Sequence, residues 1–138
     1  MRVEVLEDPT LKVPLAGDHI HFFVPEAKIA EIQSWYAKMF GAATGKRNNT
    51  IDVADLPGDV ALSFGRSAGG AAGMPTQGRS LDHIGFEVVN LEAFCQKLEQ
   101  AGITFDRAYQ KSPTGLLVAN ITDPWGTYIE LSEGLNKF

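Results

Sequence analysis

The sequence predicts an α+β fold made of two βαβββ modules in one chain. Three observations carry this. First, residues 18–24, Asp-His-Ile-His-Phe-Phe-Val, nearly repeat at 82–88 as Asp-His-Ile-Gly-Phe-Glu-Val, so that His19 and His83 stand 64 residues apart in a chain of 138. Second, each copy is followed by a stretch of helical periodicity and then by three short alternating stretches. Third, the only histidines of the protein, His19, His21 and His83, all lie inside the two copies.

The bulk properties fit one modest globular protein. At 138 residues, 44% hydrophobic and 21% charged, the chain has enough apolar side chain for a core. A net charge of −5 without a long run of one sign gives no electrostatic footprint for nucleic acid. No apolar stretch reaches the roughly 20 residues needed to span a bilayer. No leader peptide is visible, so the expected location is cytoplasmic, with a leader removed ahead of Met1 as the alternative. Cys95 is the single cysteine, which excludes an intrachain disulfide and a thiolate-rich zinc site. Its place in an amphipathic stretch makes it a small buried apolar residue rather than a nucleophile.

The elements follow in order. Residues 1–17 read as an irregular arm, with a short strand at Val3–Leu6, because Pro9 and Pro14 interrupt regular structure. In 18–24, Ile20, Phe22 and Val24 alternate with His19, His21 and Phe23, which is the period of a strand. Pro25 ends it. Ile29, Ile32, Tyr36, Met39 and Phe40 then recur every three or four residues, predicting a helix over 26–40 with Gly41 as its stop. Strands are expected near 43–48, 50–54 and 59–65, which completes a first module over 18–65. Residues 66–80, rich in Gly, Ala, Ser and Pro, read as a linker or lid. The second module, 81–138, repeats the order: a strand at 82–88, a helix near 91–101 and strands near 103–109, 115–121 and 127–132. Asp123-Pro124-Trp125-Gly126 forms its last turn.

Each helix is expected to cover one face of its four strands. The two halves are then expected to curve together as a half-barrel of mixed sheet, helices outside, enclosing a cavity between the remaining faces. Parity says which residues line those faces. If Ile20, Phe22, Val24, Ile84, Phe86, Val88, Ile129 and Leu131 meet the helices, then His19, His21, Phe23, His83, Gly85, Glu87, Tyr128, Glu130 and Ser132 point the other way. Two imidazoles and a carboxylate, His19, His83 and Glu130, thus face the cavity from three strands. That donor set suits Zn²⁺, Fe²⁺, Mn²⁺, Ni²⁺ or Co²⁺ and leaves positions open for water or substrate. The plain alternative is three solvated strand residues; their equivalent places in the repeat favour the metal.

These residues and their surroundings resemble the vicinal oxygen chelate superfamily, the glyoxalase/bleomycin-resistance/dioxygenase group. The resemblance spans about 18–133. It rests on Asp18-His19-Ile20, on Trp35-Tyr36 with Phe40-Gly41, on Leu81-Asp82-His83-Ile84-Gly85-Phe86, and on the run from Thr122 to Leu131. It implies paired βαβββ modules, metal ligands at His19, His83 and Glu130, and a homodimer. Members resembling glyoxalase I take a fourth ligand from the last strand of the first module. Here that position aligns with Ala61, with Ser63 beside it, so the chain resembles the three-ligand members.

The function expected on these grounds is that of a divalent-metal-dependent enzyme acting on a small oxygen-bearing substrate. A lyase or isomerase step, a group transfer and O₂-dependent ring cleavage all remain compatible. The alternative is a non-catalytic small-molecule or antibiotic-binding protein. His21, Glu87 and Tyr128 are the expected catalytic groups: His21 as a base or a support for a ligand, Glu87 as a base or a solvated rim residue, Tyr128 as a hydrogen-bond donor or filler. Arg66, Arg79, Arg107 and Lys111 are the available anion handles.

Overall fold

The computed structural model describes residues 3–58 and 60–135. The chain divides into two compact units, Met1–Gly73 and Met74–Phe138. The first holds β1 (His19–Val24), α1 (Ile29–Phe40), β2 (Ala43–Arg47), β3 (Ile51–Leu56) and β4 (Val60–Arg66). The second holds β5 (His83–Glu87), α2 (Leu91–Gln100), β6 (Arg107–Lys111), β7 (Leu117–Thr122) and β8 (Tyr128–Glu133). Each unit is therefore a βαβββ module, and the expected α+β class holds.

Both sheets have the same topology. The strand orders are β1-β4-β3-β2 and β5-β8-β7-β6. In each, the first and last strands pair in parallel, and the remaining neighbours are antiparallel. A parallel pair needs a crossover between its strands, and the helix with two further strands supplies it.

The helices form where the periodicity places them. Ile29, Ile32, Tyr36 and Met39 are the buried stripe of α1, and Leu91, Cys95 and Leu98 that of α2. Three residues expected to open the first helix, Glu26–Lys28, form a 3₁₀ turn instead. Gly41 ends α1 at φ 72°, a left-handed conformation that other residues adopt only with strain, and its N–H returns to the Ala37 carbonyl at 3.0 Å. α1 packs on β2 and β3, and α2 packs on β6, β7 and β8. The Gln33 amide fixes α1 to its sheet by donating to the carbonyls of Gly45 and Val53 at 2.9 and 2.8 Å. Under the helices lie Leu62, Phe64, Ile84, Ile121, Ile129 and Leu131, all buried.

One expectation is corrected. No strand precedes His19 among the described residues: Val3, Val5 and Leu6 are exposed and enter neither sheet. A strand needs a neighbour to satisfy its backbone, and alternation alone does not supply one. The unit boundary falls between Gly73 and Met74, inside the segment expected to be a linker. From Pro75 onward that segment is fixed to the second module. Thr76 donates its N–H to the Gly126 carbonyl and accepts from the Tyr128 N–H through its hydroxyl, both at 2.9 Å. A Cβ on Gly126, already at φ 93°, would lie 3.0 Å from Pro75 Cα, so glycine is required there.

The expected turn before β8 is organised by one buried side chain. Asp123 Oδ1 accepts the N–H groups of Trp125 and Thr127 at 2.9 and 2.7 Å. Asp123→Ala would strand both donors, and a loss of about 1–3 kcal/mol in urea unfolding is expected.

Candidate functional site

The ladder registers decide which side chains share a face. In the first module His19 stands beside Ala61, His21 beside Ser63 and Phe23 beside Gly65. In the second, His83 stands beside Tyr128 and Gly85 beside Glu130. These residues alternate along their strands with Leu62, Ile129 and Leu131 and so occupy the opposite sheet faces; Ala61 and Ser63 are buried there as well. Parity therefore places His83, Tyr128 and Glu130 together on one face of the second sheet, and His19 and His21 together on one face of the first. Among the described residues, no group of three or more His, Cys, Asp or Glu side chains is placed so that it could hold a metal ion.

The register also corrects the equivalence between the modules. Since His19 pairs with Ala61 as His83 pairs with Tyr128, Ala61 is the counterpart of Tyr128, and Ser63 is the counterpart of Glu130. The similar Leu-Ser pairs at 62–63 and 131–132 suggested Ala61 for Glu130. The two modules differ in the length between first and last strand, so local similarity misaligned them. Ser63, buried and neutral, offers no carboxylate at the fourth position.

Both outer histidines share one arrangement that sequence reasoning overlooked. His19 Nδ1 lies 2.6 Å from Asp18 Oδ2, and His83 Nδ1 lies 2.8 Å from Asp82 Oδ1. Each Asp has its own support. Arg47 reaches both Asp18 oxygens at 3.4 Å and pairs with Asp55 at 3.1 Å. Asp82 accepts the Gly78 N–H at 2.5 Å. The signal was present as the repeated Asp-His dipeptide, but it marked only a strand entry until the side chains were placed.

The wall around these groups is defined by rings and by open space. His21 stacks on Phe23, with centroids 4.9 Å apart and planes within 7°, and meets His19 edge-on at 5.8 Å. Gly65 lets this stack lie against the sheet, because a Cβ there would come within 2.8 Å of His21 Nε2. Phe23 is 60% exposed. In the second module the Tyr128 ring stands edge-on to His83 at 6.3 Å. Burial, followed by the nearby Asp106 charge, raises the Tyr128 hydroxyl above its ordinary pKa, which keeps it a proton donor at neutral pH. Glu130 is half-buried, in one cross-strand row with Gly85, Asn120 and Arg107. A Cβ at Gly85 would meet nothing within 4 Å, so there is room beside the Glu130 position.

Other expected groups have structural tasks. Glu87 accepts the Ser132 hydroxyl at 3.0 Å and the N–H groups of Gly134 and Leu135 at 2.6 and 3.0 Å, tying down the chain after β8. Arg66 pairs with Glu26 at 2.7 Å, and Arg79 donates to the Pro75 carbonyl at 2.7 Å, so both are held locally. Burial raises the Cys95 thiol pKa, against a nucleophilic role.

Imidazole nitrogen and carboxylate oxygen are donors that fit a first-row divalent metal, and a carboxylate behind the far imidazole nitrogen is the usual companion of a metal-binding histidine. On this chemistry the residues fit the ion.

Comparison with known proteins agrees with this fold. A family model described as the Glyoxalase/Bleomycin resistance protein/Dioxygenase superfamily matches residues 18–131. No curated protein sequence matches. Among solved structures, a putative glyoxalase family protein from Bacillus anthracis is similar at TM-score 0.69 and 17% identity, covering 91% of this chain and 99% of that one. Lactoylglutathione lyase from Agrobacterium tumefaciens is similar at 0.62 and 21% identity, covering 89% and 96%. The oxidase ChaP-H2 is similar at 0.65 and 16% identity, covering 88% and 95%. At these identities the likeness is one of fold.

The hydrogen bonds from His19 and His83 hold the Asp18 and Asp82 carboxyls below the ordinary value of 3.8. A lowered folded-state pKa adds stability above the unfolded value, and this is lost as pH falls through the folded one. Carboxyl-detected NMR titration should give midpoints below 3.8 for both, rising towards it in His19→Ala and His83→Ala respectively.

Proposed function

The chain belongs to the glyoxalase/bleomycin resistance protein/dioxygenase superfamily, and on that premise we propose that it is a divalent-metal-dependent enzyme acting on a small oxygen-bearing substrate. His19 from the first module and His83 with Glu130 from the second would be the metal ligands. The observation that carries this reading is the matched pair of carboxylate-backed histidines, each with Nδ1 engaged by the preceding Asp. Zinc, iron, manganese, nickel and cobalt all suit two imidazoles and a carboxylate. The bound metal would supply Lewis acidity to a substrate oxygen.

The chain's own groups would do the rest. Tyr128, protonated at neutral pH and beside His83, donates a hydrogen bond to a substrate oxygen. His21 is the proton acceptor, an imidazole whose ring plane the Phe23 stack fixes. With Ser63 rather than a carboxylate opposite Glu130 in the repeat, three protein ligands are the reading. Lyase or isomerase chemistry, group transfer and O₂-dependent oxidation remain the candidate reaction classes, and a homodimer is the proposed assembly. Among the described residues no helix is long and apolar enough to cross a membrane; a cytoplasmic location remains the proposal.

A second reading has one observation of its own. Phe23 presents an exposed ring stacked on His21, a wall that suits a flat apolar ligand held without catalysis. Such binding would be indifferent to a chelator.

Protein purified without added metal or an affinity tag should carry near-stoichiometric metal by mass spectrometry. His83→Ala and Glu130→Ala should each lose it and all activity. Full metal content in both variants would overturn the ligand assignment.

A further inference from the structure

We infer that Asp18 and Asp82 are positioning residues, each fixing the tautomer and the ring plane of the histidine that follows it so that Nε2 is the nitrogen presented to a metal. This rests on the ligand assignment made above for His19 and His83.

The argument begins with proton counting. An ionised carboxylate has acceptors and no donor, so the Nδ1 atom that meets it must carry the ring proton. The contacts are 2.6 Å from His19 Nδ1 to Asp18 Oδ2 and 2.8 Å from His83 Nδ1 to Asp82 Oδ1, the lengths of charge-assisted bonds. A neutral imidazole protonated at Nδ1 has its lone pair on Nε2. Neutral histidine in water favours the opposite tautomer, with the proton on Nε2, so each Asp reverses an intrinsic preference. It does so by contact with its immediate neighbour in the chain.

The two supports differ in kind. Asp82 is held by the Gly78 backbone N–H at 2.5 Å, in the same segment whose Thr76 hydroxyl receives the Tyr128 N–H at 2.9 Å. One segment thus ties the carboxylate behind His83 to the strand that bears Glu130. Asp18 has only a side chain behind it, Arg47 at 3.4 Å, itself shared with Asp55 at 3.1 Å. Arg47 is partly exposed, and an exposed pair restrains weakly. The carboxylate behind His83 is thus held by a backbone group and the one behind His19 by a side chain.

Long-range ¹H–¹⁵N NMR of the metal-free full chain, recorded at a mildly alkaline pH where the ¹⁵N shifts themselves show neutral rings, tests this without any activity. Wild-type protein should show His19 and His83 protonated at Nδ1. Asp18→Ala should return His19 alone to the Nε2–H form, and Asp82→Ala should do so for His83 alone. Asp→Asn, which keeps an acceptor oxygen, should retain part of the wild-type pattern. Calorimetric titration with zinc alone should show affinity about 10–100-fold weaker in each Ala variant. Nε2–H rings in the wild type, or Ala variants with wild-type tautomers and zinc affinity, would overturn the inference. Zinc affinity unchanged in His83→Ala overturns the ligand assignment instead, and the tautomers still decide the positioning claim.

Discussion

The parallel pairing of first and last strand within each module is the constraint on which the other features depend. It fixes His19 beside Ala61 and His83 beside Tyr128. Because alternate residues point to opposite faces, one register fixes the orientation of every side chain on both strands. A slip of β8 by one residue would turn Glu130 towards α2 and expose Ile129 and Leu131. Removing two large apolar side chains from the core costs several kcal/mol in total. The hydrophobic core therefore enforces the orientation of the polar face, although the two share no atoms.

The polar groups on those faces are held by neighbours close in sequence. Asp18 and Asp82 precede the histidines they contact, and Thr76 and Gly78 act from one short segment. A local support has little loop-closure entropy to overcome, so it forms at low cost once the strand is in place. Longer-range contacts have another task. Glu87 reaches Gly134 and Leu135, and Glu133 Oε2 accepts the Leu91 N–H at 2.8 Å, joining the end of β5 and the start of α2 to the end of β8. Glu87, Glu133 and Asp123 satisfy backbone donors, whereas Glu130 has no hydrogen bond or ion pair among the described residues. A carboxylate left in that condition on a half-buried face is available to a ligand.

Duplication has kept the frame of the two modules and changed their contents. His19 and His83 match, as do the aspartates before them. The positions two residues along differ, His21 against Gly85, and the last strands differ, Ala61 and Ser63 against Tyr128 and Glu130. The first module has gained a ring stack over Gly65, and the second a carboxylate beside an open glycine. The chemistry of each face follows from these substitutions, since the backbone geometry beneath them is the same.

The sequence by itself determined the module order, the helix stripes and the face on which each strand residue lies. These depend on periods of 2 and 3.6 residues, which are local properties of the chain. Ile129, Leu131, Leu62 and Leu98 are buried as their periodicity requires, and His19, His21, His83, Tyr128 and Glu130 lie on the opposite faces. Tertiary structure alone decided what needs two distant segments in register or a side chain in one rotamer. The equivalence of Ser63 with Glu130, the attachment of residues 75–82 to the second module, and the structural task of Glu87 are of this kind. So are the carboxylates behind the histidines: the dipeptide is plain in the sequence, but whether Asp meets Nδ1 or turns to solvent depends on torsions that periodicity does not encode.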